Sequence, residues 1–93
     1  SGADLSRAYL SGQWIIQGPT RSDGYAFTLT CLKGEGVRVK AGCRDLSFTD
    51  AVRHWERTRG NTALGRETAL ILAALRELAA VRGYSLTDTG GDP

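Results

Sequence analysis

Two neighbouring segments, 25–32 and 36–43, alternate between apolar and polar side chains, and the turn Lys33-Gly34-Glu35-Gly36 separates them. Apolar side chains at every second position predict strands with one face on the core and the other in water. The alternation assigns Cys43 to the core face. It assigns a short basic strip to the solvent face: Arg38, Lys40 and Arg44. The pattern therefore predicts an antiparallel hairpin whose outer face is basic.

A third strand and two helices complete the predicted fold. Residues 14–17 form an apolar run that ends at the breaker pair Gly18-Pro19. The segment 47–50 has the spacing of a capping box and predicts a helix start. Residues 63–82 favour a second, longer helix that ends at Gly83. We therefore predict an α+β fold, a three-stranded antiparallel β-meander packed on two C-terminal α-helices with a long last helix.

The chain has 93 residues, which corresponds to a single α+β domain over 1–93. Within it we expect a short N-terminal helix or arm at 3–11, the β-meander at 13–44, the two helices at 47–83 and a tail at 85–93. A hydrophobic content of 41% excludes a chain that is disordered throughout. No apolar run reaches the length of about 18 residues that a transmembrane helix needs, so no membrane partner is predicted.

The net charge and the cysteine content restrict the kinds of function that this protein can have. The net charge of +2 is too small for the broad basic footprint of a duplex-DNA binder. The two cysteines lack a zinc-ligand spacing and the N-terminus lacks a signal peptide, which favours a cytoplasmic protein. We expect no cofactor and no metal.

The last helix is apolar on nearly all sides, since residues 69–75 include no polar side chain. Such a helix must be buried on more than one side, and a chain this short has little protein to cover the second side. We therefore predict a homodimer that forms through one stripe of this helix: Leu64, Ile71, Leu75 and Leu78. Burial by the N-terminal turn and the preceding helix is the alternative.

Three groups of residues are candidates for function. The loop 18–24 places Arg21 and Asp23 between glycines, where they would contact an anion or a partner. The basic strip on the predicted sheet face suits a nucleic-acid backbone, although it lacks the exposed aromatic residues of RNA-binding sheets. His54, the only histidine, together with Cys43 would suit a thiol-dependent enzyme. Because Cys43 is predicted to be buried, the thiol-dependent enzyme is the least favoured hypothesis, and we expect no enzymatic activity.

The segment 41–48, followed by Ala51 and His54-Trp55, resembles a G-C-R…A-x-x-H-W pattern in small uncharacterised phage and prophage proteins. The segments 14–16 and 22–25 add to the similarity. The resemblance brings no established activity or site, but it implies a protein that acts by binding. It implies contact roles for Arg44 on a phosphate, for Trp55 as a stacking indole, and for His54. Alternatively, residues 42–55 form a strand-to-helix corner that holds the fold together.

The sequence thus predicts a small non-enzymatic binding module, and the resemblance implies that it is phage-derived and located in the host cell cytoplasm. It would inhibit a host defence protein or act as a sink for a small anionic, nucleotide-like ligand. The predicted contact residues are Arg21, Asp23, Arg38, Lys40, Arg44, His54 and Trp55. A nucleic-acid-binding protein that uses the basic sheet face and a thiol enzyme remain as alternatives.

Overall fold

The computed structural model describes residues 12–86, which form an antiparallel sheet packed on two helices. The strands follow chain order: β1 (Trp14–Gln17), β2 (Phe27–Leu32), β3 (Gly36–Ala41) and β4 (Arg44–Leu46). The helices are α1 (Phe48–Arg59) and α2 (Ala63–Val81). The predicted α+β class is confirmed. The predicted helix or arm at 3–11 and the tail beyond residue 86 lie outside the described residues.

The sheet has four strands, so the predicted three-stranded meander is wrong in number. The chain reverses at Gly42-Cys43, where Gly42 takes a φ of +59°, and Arg44 then pairs with Ala41. Residues directly opposite each other in an antiparallel pair share a face. Arg44 therefore lies on the helix-facing side with the buried Ala41, and not with Arg38 and Lys40. Cys43 is exposed at the turn, which contradicts its predicted place in the core.

The core lies between the sheet and the two helices. Leu29 and Val39 face each other across β2 and β3, and both are fully buried. Trp55 of α1 and Leu75 of α2 pack against this face of the sheet. Trp14 of β1 stacks on Tyr84 with ring centroids 4.5 Å apart, which attaches the segment after α2 to the sheet. The apolar face of the strand alternation is therefore the face that the helices cover.

Side-chain and glycine caps define the ends of the helices. Ser47 Oγ accepts a hydrogen bond from the amide of Asp50 at 3.1 Å, and Thr62 Oγ1 accepts one from the amide of Gly65 at 2.9 Å. Each satisfies an amide that the first turn of a helix leaves free. After α2, Gly83 has a φ of +81° and its amide donates to the carbonyl of Ala80. The predicted capping residues Ser47 and Gly83 are confirmed.

Two of the four residues in the predicted dimer stripe on α2 face the interior of their own chain. Leu75 is fully buried and Ile71 is 4% exposed, so neither offers surface to a second copy. Leu78 of the stripe is 37% exposed and Leu64 is half-buried, while the most exposed apolar side chains of α2, Leu70 and Val81, lie outside the stripe. The prediction is therefore wrong for Ile71 and Leu75, while contact through Leu64 and Leu78 and the homodimer itself stay predictions.

Leu75→Ala is expected to lower the free energy of unfolding by about 3 kcal/mol, because it leaves a cavity in the core. Leu70→Ala is the matched control on the exposed side of the same helix, and it should change stability by less than about 0.5 kcal/mol. Urea unfolding monitored by tryptophan fluorescence measures both values. A larger loss for Leu70→Ala than for Leu75→Ala would contradict the orientation of α2.

Candidate functional site

Arg21 lies in the loop between β1 and β2, and its side chain is only 3% exposed. Its Nε and Nη2 donate to the two carboxylate oxygens of Asp23 at 2.9 and 2.8 Å. Its Nη1 donates to Thr68 Oγ1 on α2 at 2.9 Å. The guanidinium carbon also lies 4.8 Å from the ring centroid of Tyr25. The structure therefore gives each nitrogen of the Arg21 guanidinium a hydrogen-bond partner, and its charge is neutralised by Asp23.

The pair changes the ionisation of both groups. The hydrogen bond from Arg21 is the main reason that the pKa of Asp23 falls from 3.8 to about 2, and the amide of Tyr25 adds to it. The same hydrogen bond raises the pKa of Arg21 against the opposing effect of burial. Both residues therefore stay charged throughout the neutral range. Their charges are already paired with each other within the loop.

Further contacts connect this loop to the rest of the protein. Ser22 donates to Glu67 Oε1 on α2 through its amide and its hydroxyl, at 3.0 and 2.8 Å. The hydroxyl of Tyr25 donates to the carbonyl of Ala41 at 3.2 Å. A Cβ at Gly42 would lie 2.5 Å from that hydroxyl, so a glycine is needed there. The loop is thus hydrogen-bonded both to α2 and to the strand end that precedes Arg44.

A shallow pocket of about 330 Å³ lies where β4 meets the C-terminal half of α1. It is lined by Arg44, His54, Thr58 and Arg59, beside the buried Arg21 and Trp55 and the half-buried Tyr25. His54 and Thr58 are four positions apart, which places them on the same side of a helix. Four of the seven predicted site residues therefore meet here: Arg21, Arg44, His54 and Trp55.

The pocket is electropositive because its outer cations are not compensated. Arg44 and Arg59 are exposed, and neither forms an ion pair with a residue in the described part of the chain. Partial burial lowers the pKa of His54, and the charges of Arg44 and Arg57 lower it further. His54 is therefore mostly neutral at pH 7. An anion that entered the pocket would offset the repulsion that these groups exert on one another.

Trp55 contributes to the pocket from within the core. Its side chain is 5% exposed, and its ring lies edge-on to Phe27 and His54, with centroids 5.1 and 4.9 Å away. The indole therefore leaves little surface for stacking on a ligand. Its contact with His54 orients the imidazole instead. The partly exposed rings of the pocket are those of Tyr25 and His54.

The predicted basic strip on the outer sheet face lacks Arg44, and carboxylates neutralise its two remaining cations. Arg38 Nε donates to Asp45 Oδ1 at 2.9 Å, and Lys40 Nζ lies 2.9 Å from Glu35 Oε1. Asp45 comes to this face because β4 places it opposite Lys40. These exposed pairs contribute little stability, but they cancel the charge that a phosphate backbone would need.

Sequence reasoning missed Thr58 and Arg59. The position of Thr58 four residues after His54 on a helix was the available signal. Cys43 is not among the described residues that line the pocket of His54, so the pocket does not bring these two side chains together. Within residues 12–86, no cluster of three or more His, Cys, Asp or Glu side chains is placed to hold a metal ion.

No protein-family model matches the chain, and no curated protein or solved structure is significantly similar to it. Among residues 12–86, neither helix is long and apolar enough to cross a membrane.

The depressed pKa of Asp23 predicts how stability responds to acid. The unfolded chain takes up a proton near pH 3.8 and the folded chain only near pH 2. The stabilisation from the pair is therefore complete above about pH 4 and is lost as the pH falls towards 2. Urea unfolding at several pH values should show a steeper loss over this interval for the native chain than for Asp23→Asn. Equal slopes would contradict the pairing of Arg21 with Asp23.

Proposed function

We propose that this protein is a small non-enzymatic binding module whose pocket between β4 and α1 holds a small anionic, phosphate-bearing ligand. One observation supports this most directly. Arg44 and Arg59 converge with His54 on one concavity and have no described carboxylate partner, whereas Arg21, Arg38 and Lys40 are each paired with an acid. Guanidinium groups bind phosphate through two parallel hydrogen bonds, so two of them around one concavity suit such a ligand.

The size and lining of the pocket favour a nucleotide-like compound over a bare ion. Its volume of about 330 Å³ falls at the lower end of the range for small-molecule sites. The half-buried rings of Tyr25 and His54 supply an aromatic surface beside the arginines. This surface takes the stacking role that the sequence assigned to Trp55. A phosphate on the guanidinium groups and a base against these rings would use both parts of the pocket.

The resemblance to small phage and prophage proteins supports a biological role for such binding. A protein of this kind would act in the host cytoplasm, where it removes a signalling nucleotide from solution or inhibits a host defence protein. Sequestration needs no catalytic group, and it agrees with a pocket that contains cations and rings but no Cys43. The proposal thus requires binding alone.

The two alternative functions have weaker support. Nucleic-acid binding through the sheet face is disfavoured because Asp45 and Glu35 neutralise Arg38 and Lys40. Its signature would be an affinity that falls steeply as the salt concentration rises. A thiol enzyme would need Cys43 and His54 together, and rapid alkylation of Cys43 that depends on His54 would be its signature.

Thermal unfolding in the presence of inorganic phosphate, pyrophosphate, nucleoside mono-, di- and triphosphates and cyclic nucleotides tests the pocket. A ligand present at about 100 times its Kd should stabilise the fold by about 2.7 kcal/mol. Arg44→Ala and Arg59→Ala should each weaken binding by about tenfold or more, because each removes charged hydrogen bonds. Arg82→Ala is the matched control, since it removes the same charge at the far end of α2.

Two results would overturn the proposal. The first is that no compound in the panel stabilises the protein at millimolar concentration. The second is that Arg82→Ala weakens binding as much as Arg44→Ala does, since this would indicate a general charge effect and not a site.

Titration of His54 provides an independent check of the same site. A bound phosphate group favours the protonated imidazole, so binding should raise the pKa of His54 and take up a proton. Affinity should therefore increase as the pH is lowered from about 7.5 to 5.5, and His54→Ala should remove this dependence. His54 is the only histidine, so its NMR signal can be followed without ambiguity. A pKa that does not move on ligand addition would place the ligand elsewhere.

A further inference from the structure

A second concavity lies on the other side of α1, between α1 and α2. Residues two positions apart on a helix point in nearly opposite directions, so Val52 and Glu56 face away from His54. Phe48 and Val52 line this groove from α1, and Ala69, Leu72 and Ala73 line it from α2. Its volume is about 270 Å³, and a second concavity that shares Phe48, Val52 and Arg76 continues it towards Leu86.

The groove is long and apolar enough to hold a helix. Its lining on α1 extends from Phe48 to Gly60, which is about 18 Å at 1.5 Å per residue, or roughly three turns. Val52 is 39% exposed, although it belongs to the apolar side of an amphipathic helix. The small side chains of Ala69 and Ala73 leave room above the buried Leu72. A helix that lays its apolar face in such a groove is a recurrent mode of recognition.

The charges around the groove indicate the kind of partner. Arg66 and Arg76 line it on α2, and Arg53 joins them in the adjoining concavity. All three are exposed and form no ion pair with a described residue, while Glu56 is the one acidic residue among the described lining. A partner with carboxylates beside its apolar stripe would therefore be complementary.

The same charges argue against a second copy of this chain in the groove. A two-fold interface places the same patch of both copies together, so Arg66 and Arg76 would meet the arginines of the other copy. Like charges in contact disfavour that pairing. The apolar face of a different, acidic helix has no such penalty.

We propose that the groove between α1 and α2 is a docking surface for an acidic amphipathic α-helix of another protein, held by Phe48, Val52 and Ala73 and by the arginines at its rim. This surface is separate from the anion pocket and does not depend on it. A single chain therefore carries one surface for a small anion and another for a protein partner.

Two synthetic peptides of about 18 residues test the proposal by fluorescence anisotropy with the full chain. Both carry the same leucines at helical spacing, and they differ only in having Glu or Lys at the flanking positions. The acidic peptide should bind about tenfold or more tightly than the basic one, and its affinity should fall as salt screens the rim. Equal affinities, or no binding of the acidic peptide, would overturn the proposal.

Matched variants locate the peptide. Val52→Glu places a carboxylate in the groove and should weaken binding of the acidic peptide by about tenfold or more. Leu70→Glu is the same kind of change on another side of α2 and should leave binding unchanged, and circular dichroism verifies that both variants are folded. Equal loss in the two variants would overturn the proposal. A dimer in analytical ultracentrifugation that Val52→Glu abolishes would also overturn it, because a second copy would then occupy the groove.

Discussion

The guanidinium of Arg21 is a full positive charge held almost entirely away from water, and several elements are arranged around it. A buried charge is tolerated only where it is paired and hydrogen-bonded. Asp23 neutralises it, Thr68 of α2 accepts its third hydrogen bond, and the ring of Tyr25 covers it. Tyr25 in turn donates to Ala41 across Gly42, at the turn where the strand reverses. The position of Arg44 in the pocket therefore depends on a charge in a different loop.

Local patterns predicted most of the secondary structure. The period of two predicted β2 and β3, and the capping box predicted the start of α1, because these signals depend on neighbours in sequence. The turn at Gly42-Cys43 was not predicted, because Cys43 and Arg44 continue the apolar-polar alternation of β3 through the point where the chain reverses. An alternating pattern specifies faces only while the chain stays in one strand. The turn before the fourth strand packs against Tyr25, which is distant from Gly42 in the sequence, so no local pattern predicts it.

The candidate site was predictable in part for the same reason. His54 and Arg44 were identified as candidates by residue type, and the structure brings them to one pocket. Arg21 was predicted to contact an anion or a partner, and its internal role was missed because its partner Thr68 lies 47 positions away in the sequence. Ile71 and Leu75 were misassigned to a dimer surface because a helix with apolar residues on every side does not indicate which side faces inwards. A Cβ at Gly65 would clash with the carbonyl oxygen of Arg59, so the close approach of the two helices at their connection requires a glycine, which the periodicity of α2 does not reveal.

The net charge of +2 suggested a surface with little electrostatic preference. Pairing changes that conclusion, because the carboxylates of Asp23, Glu35 and Asp45 are held by Arg21, Lys40 and Arg38. Glu67 accepts hydrogen bonds from Ser22 in the same way. These four carboxylates are thus used within the loop and the sheet, and unpaired arginines line the concavities on both sides of α1. An almost balanced composition can therefore produce two electropositive surfaces, one polar beside His54 and one apolar beside Val52.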